Sequence, residues 1–153
     1  MADGFSLIEV LVVLAVAAIL VTMSFAYLIS SRPAAQLHSA EVQLSSDLAL
    51  ARDAAYNEET PVRMVFDLGV GEYWAEQQDP VTAVWDAITE HISLPDGVTI
   101  TGVTFPDTTV NFTPRGTLVV GGSITIQNSS GTSSTLTGVI PTGRFPLLGG
   151  ALR

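Results

Sequence analysis

The chain has 153 residues, a formal charge of −9, 47% hydrophobic residues and only 14% charged ones. That fits one compact domain with an apolar appendage and excludes a disordered chain. Its basic residues are six arginines and no lysine, which argues against a broad electrostatic grip on nucleic acid or anionic lipid. With no cysteine, disulfides, thiolate metal sites and a cysteine nucleophile are excluded.

The apolar excess is concentrated at the N-terminus. Phe5 to Ile29 read FSLIEVLVVLAVAAILVTMSFAYLI, 25 residues whose only ionisable acid or base is Glu9. As a helix this run reaches roughly 37 Å, enough for a hydrocarbon core of about 30 Å with some tilt. A secretory signal peptide would open on basic residues and end in a small-residue cleavage site, whereas residues 1–4 are MADG. A carboxylate inside a membrane helix costs roughly 2.5–3.5 kcal/mol, so Glu9 calls for a partner. If the chain is cut between Gly4 and Phe5, the new α-amino group lies four residues before Glu9, one helical turn away. Pairing of the two groups between staggered chains would set a register and neutralise both charges.

The string Gly4-Phe5-Ser6-Leu7-Ile8-Glu9-Val10-Leu11-Val12-Val13-Leu14 resembles the processing and assembly motif of type IV prepilins and type II secretion pseudopilins. The resemblance implies cleavage after Gly4 by a prepilin peptidase, N-methylation of Phe5, and extraction from the inner membrane into a helical filament. Residues 1–4 would then be a leader, 5–30 the transmembrane and filament-core helix, 31–57 its amphipathic half, and 58–153 a β-rich head.

Beyond the anchor, Leu37, Ala40, Leu44, Leu48, Ala51 and Ala55 recur at spacings of three, four and seven, which predicts an apolar helical stripe facing a sheet. Pro33 predicts a kink or break around residues 30–33, and Thr60-Pro61 predicts a helix end near Tyr56 or Asn57. Strands are predicted over 62–67 and 72–76 as a hairpin, then over 92–94, 98–105, 109–112, 117–120, 123–127 and 135–140, with 128–135 a polar turn. The segment 81–91 has no clear pattern. The fold class is α+β: a long N-terminal helix packed on an antiparallel β-sheet head, a pilin-like ladle.

Ala51-Arg52-Asp53-Ala54-Ala55, Thr60-Pro61-Val62, Phe112-Thr113-Pro114-Arg115-Gly116 and Thr142-Gly143-Arg144-Phe145 are similar to the pseudopilin H and FimT group of minor pilins. Read from the residues alone, Gly116 and Gly143 supply turns while Phe112 and Phe145 pack on the helix stripe. Likeness to FimT-type pilins also makes Arg144 and Arg153 candidate DNA contacts.

No catalytic constellation is found. His38 and His91 stand in no known ligand or nucleophile spacing. Asp86, Glu90 and His91 would make a metal site only if that segment were helical. No cofactor, metal or enzymatic activity is expected. Trp74, Trp85 and Tyr73 are read as core or as an interface.

The expected role is a structural subunit of a type IV pilus or type II secretion pseudopilus, of the minor kind. It would be held once through the inner membrane with its head outside the cytoplasm, then moved into a pilus or periplasmic pseudopilus. Its partners would be other pilin or pseudopilin subunits, the prepilin peptidase, an inner-membrane assembly platform and, before assembly, membrane lipid. The alternatives are a major pilin, a DNA-uptake minor pilin, or a monomeric signal-anchored extracytoplasmic binding protein or hydrolase.

Overall fold

A computed structural model describes residues 6–146, with the backbone alone for 23–31. The chain divides into two units, Met1–Arg32 and Pro33–Arg153. One helix, α1 (Leu7–Asn57), contributes to both and ends where Thr60-Pro61 predicts. Its backbone is not broken at Pro33, contrary to one of the two outcomes expected there. The lost N–H is outweighed by the apolar stripe that starts a turn later, and the Pro33 carbonyl gains a bond from Asn128 Nδ2 at 3.0 Å.

The second unit places α1 residues 33–57 against eight strands: β1 (Val62–Asp67), β2 (Glu72–Gln78), β3 (Trp85–Ala87), β4 (Ile92–Ser93), β5 (Val98–Val103), β6 (Thr109–Phe112), β7 (Ser123–Asn128) and β8 (Ser133–Thr137). They form two antiparallel sheets, one in the order β3-β2-β1-β6 with β4 also on β2, the other β5-β7-β8. The β1–β2 hairpin has the predicted loop. Asp67 Oδ1 accepts the amides of Gly69 (2.8 Å) and Val70 (3.2 Å), and Gly71 takes the positive φ that returns the chain.

All six predicted stripe residues are buried, together with Met64, Phe66, Phe112, Ile126 and Leu136 from both sheets. The two central leucines, Leu44 and Leu48, are each worth about 1.5–3 kcal/mol of apolar burial. Among the described residues the core runs from Leu37 to Phe145.

Three predicted strands differ. Of 117–120 only Leu118 pairs, across to Phe112, while Val119 and Val120 are exposed. The following Gly122 lies so close to the Phe105 ring that a Cβ would sit 2.7 Å from it, and this contact takes the place of sheet pairing. The strand predicted over 98–105 stops at Val103, after a bulge between Ile100 and Gly102. The last strand begins at Ser133 rather than 135, because Asn128 Oδ1 accepts the amides of Ser130 and Thr132 and tightens the turn before it. It ends at Thr137, since Gly138 is packed against Leu118 and Phe105.

Candidate functional site

At the start of α1 the amides of Glu9 and Val10 donate to the Ser6 carbonyl at 2.9 and 3.3 Å. Glu9 is thus the third residue of the helix, where a carboxylate meets the positive end of the macrodipole. The Ser6-x-x-Glu9 spacing is also that of a capping box. From Val10 to Val21 no side chain is polar, and large residues such as Leu7, Ile8, Leu11 and Val13 are exposed. Thr22 keeps the surface apolar by donating its hydroxyl to the Ala18 and Ile19 carbonyls at 3.1 and 2.8 Å. So large an exposed apolar surface marks a contact with other apolar groups. Among the described residues no helix is long and apolar enough to cross a membrane. Gly4, Phe5 and Arg153 lie outside the described residues.

In the head, α1 presents two different flanks on either side of its buried stripe. Residues advance about 100° each, so Gln43, Asp47, Leu50 and Ala54 share one flank and Ser45, Ala49, Arg52 and Tyr56 the other. On the first, the buried Tyr73 hydroxyl donates to Asp47 Oδ2 at 2.6 Å and accepts from Gln43 Nε2 at 3.1 Å. Burial, then the hydrogen bond and charge of Asp47, push the Tyr73 phenol well above the ordinary tyrosine range, with Gln43 acting weakly the other way. Beside this network is an apolar notch of about 160 Å³, lined by Leu50, Ala54, Met64, Ala75, Ile88 and Ile92 among others.

On the second flank two turns close over Arg52. Gly116 and Gly143 both have positive φ, and a methyl on Gly143 would overlap the Gly116 carbonyl oxygen and crowd Arg52 Cδ. Arg52 is paired with Asp53 at 2.6 Å. Arg115 and Arg144 line the same groove together with Tyr56, and their guanidinium groups make no ion pair among the described residues. The sequence singles out Arg144 but not Arg52 and Arg115 beside it as candidate contacts. The signal for them is the pair of glycines, Gly116 and Gly143, which both lie against the Arg52 side chain.

The outer face of the first sheet carries a linked row. Arg63 pairs with Glu76 at 2.6 Å and lies 4.3 Å over the Trp85 ring. Glu76 accepts from Trp74 Nε1 at 2.7 Å, and Trp74 stacks on His91 at 4.3 Å. Glu72 reaches His91 Nδ1 at 3.2 Å. Tyr73 is in the core, whereas both tryptophans are half-buried on this face. Asp86 sits in β3 and not in a helix, so the helical metal arrangement of Asp86, Glu90 and His91 is not formed. His38 is exposed near Glu41, at 3.5 Å.

Comparison with known proteins gives two family matches. Residues 42–142 match the model for the type II transport protein GspH, and residues 2–25 match the prokaryotic N-terminal methylation motif. No curated protein matches the sequence. The fold is similar to the minor pseudopilin EpsH of the Vibrio cholerae type 2 secretion system, with a TM-score of 0.59 and 13% identity, covering 73% of this chain and 99% of that one. A second EpsH crystal structure gives a TM-score of 0.57 at 13% identity, covering 76% and 98%. The type IV minor pilin FimU of Pseudomonas aeruginosa has a TM-score of 0.57 at 19% identity, covering 72% of this chain and 87% of that one.

Proposed function

The chain belongs to the family of the type II transport protein GspH, and from that premise we propose how its N-terminal helix is used. Membership makes it a structural subunit of a type IV pilus or type II secretion pseudopilus, and the minor-pseudopilin form of that role fits it. The segment 5–29 first holds the chain in the inner membrane. A prepilin peptidase cuts between Gly4 and Phe5, Phe5 is methylated, and an inner-membrane assembly platform lifts the helix into the filament. There Glu9 meets the Phe5 amine of a neighbouring subunit.

The observation that carries this reading is the uninterrupted apolar surface from Val10 to Val21, exposed on the isolated chain and headed by one carboxylate in the first turn. Lipid and a bundle of like helices both suit that surface. Glu9 favours the bundle as the final state, because a neighbour's amine neutralises in the apolar interior what lipid leaves uncompensated.

Co-expression with a prepilin peptidase followed by intact-mass analysis should show loss of residues 1–4 and the gain of a methyl group. Glu9→Ala should be cut normally yet enter sheared filaments at least about tenfold less than the parent, the scale of an uncompensated amine in an apolar core. An uncut N-terminus combined with normal assembly of Glu9→Ala would sink the mechanism.

A further inference from the structure

We propose that the free edge of β8 takes an extended segment of an unlike neighbouring subunit by strand addition. The contact rests on the minor-subunit reading given above. The Asn128 amide donates to the Thr132 carbonyl and the Gly138 amide to the Gly122 carbonyl, both at 2.9 Å, and the β7–β8 register between them has no shift. Antiparallel ladders alternate. The even-numbered residues of β8 therefore bond to β7, while the N–H and C=O groups of Ser133, Thr135 and Thr137 point away from it. One step on, that outer side is in use, since the Val139 amide donates to the Arg144 carbonyl at 2.9 Å. Below it β8 has no neighbour but β7 among the described residues, and Thr135 and Thr137 are exposed.

Among the described residues the other sheet edges are blunted. β3 and β4 have three and two residues and lie between Pro80 and Pro95. β5 is bulged between Ile100 and Gly102, and the outer side of β6 is covered by the Leu118 bridge and by the Val119 amide on the Asn111 carbonyl at 3.0 Å. β8 has none of these devices, and residues 129–137 contain neither a charge nor a proline. An edge left in that state is a template for another strand. Leu136 faces the core while Thr135 and Thr137 face solvent, so the strand that fits alternates apolar with uncharged polar residues. The size of the strip selects its source. Five residues are too few to hold a free partner, since stable complexes bury about 1,200–2,000 Å², but they suffice for a neighbour already tethered in the same filament by its own N-terminal helix. A second copy does not fit, because two β8 edges pair antiparallel about a two-fold axis and close into a dimer, whereas subunits of one filament point the same way.

Proline at an outward position removes a donor from the edge and leaves the β7 ladder intact, so the test is made on the full chain co-expressed with its assembly machinery. Thr135→Pro should lower the share of the chain in sheared filaments at least about fivefold, the scale of one acceptor left unpaired in the partner strand. Thr135→Val, which keeps the backbone donor, should enter them like the parent. Parent-like entry of Thr135→Pro overturns the contact, and an equal loss in Thr135→Val assigns the contact to the hydroxyl and overturns strand addition. Two measurements stand apart from the stability of the proline variant. In the full chain in detergent, the amides of Thr135 and Thr137 should exchange with deuterium rapidly and those of Ser134 and Leu136 slowly; protection of the first pair shows that the chain covers its own edge and overturns the proposal. The chain has no cysteine, so Thr137→Cys can be labelled with benzophenone maleimide and irradiated in filaments. A cross-link to an unlike filament subunit is expected, whereas one to residues 147–153 or to a second copy overturns the proposed occupant. Absence of the parent chain from filaments overturns the filament role itself, and its presence beside a parent-like Thr135→Pro overturns the edge contact alone.

Discussion

Tyr73 is the polar pin of an apolar interface, buried between α1 and β2 with its hydroxyl shared by Asp47 and Gln43. Tyr73→Phe keeps the ring and strands a partly buried carboxylate, so unfolding of the head in denaturant should show a loss of about 2 kcal/mol, the scale of a hydrogen bond to a charged group. The phenol also predicts an alkaline limit. Its folded pKa is raised, so above about pH 10 the unfolded chain releases a proton that the folded chain keeps, and stability falls as pH rises. Below that pH the contribution is fully present. Tyr73→Phe should remove this part of the alkaline slope, and an unchanged slope would show that Tyr73 is not its source. The sequence does not announce this role, because Gln43 and Asp47 look like solvated faces of the helix until β2 is laid against them. Gly116 and Gly143 were equally opaque. Each reads as a local turn, and only the fold shows that both give way to the stem of one arginine.

At the scale of elements, what could be read was what repeats. The helix stripe follows a 3.6-residue period over 19 residues, from Leu37 to Ala55, and each of its positions is buried. Leu44→Ala removes a fully buried side chain from the core, so it should cost about 2–5 kcal/mol in thermal or denaturant unfolding. A loss much below 1 kcal/mol would mean the stripe is not the seam of the core. The hairpin of β1 and β2 was legible for a similar reason, since Asp67 and Gly71 define its turn from within. The strands after Gly116 were less so. Val119-Val120 has strong β propensity, but the need to bring Gly122 under Phe105 overrides it. The Ser/Thr-rich β8 has little hydrophobic signal beyond Leu136, and its start is set by the side chain of Asn128. In 81–91 the backbone is held by bonds across the sheet, such as Thr89 Oγ1 accepting the Ala75 amide at 2.8 Å, which no local pattern encodes.

At the scale of the molecule, every core residue among those described lies within 37–145, inside the second unit. The fragment 33–153 should therefore be a soluble, cooperatively folded protein, with the same unfolding midpoint as the head of the full chain in detergent. A midpoint lowered by more than about 4–8 °C would correspond to about 1 kcal/mol of support from outside the core. The bond from Asn128 to the Pro33 carbonyl has a mechanical meaning. In a subunit held through the N-terminal part of α1, a pull on the head enters it at the end where Pro33 lies. The helix is gripped along its stripe for about 27 Å, and a pull along its axis loads that seam in shear, with many contacts resisting at once. Peeling would have to begin at the first turn. There Asn128, 95 residues away in sequence, clips the second sheet to the helix and closes the place where a tear would start.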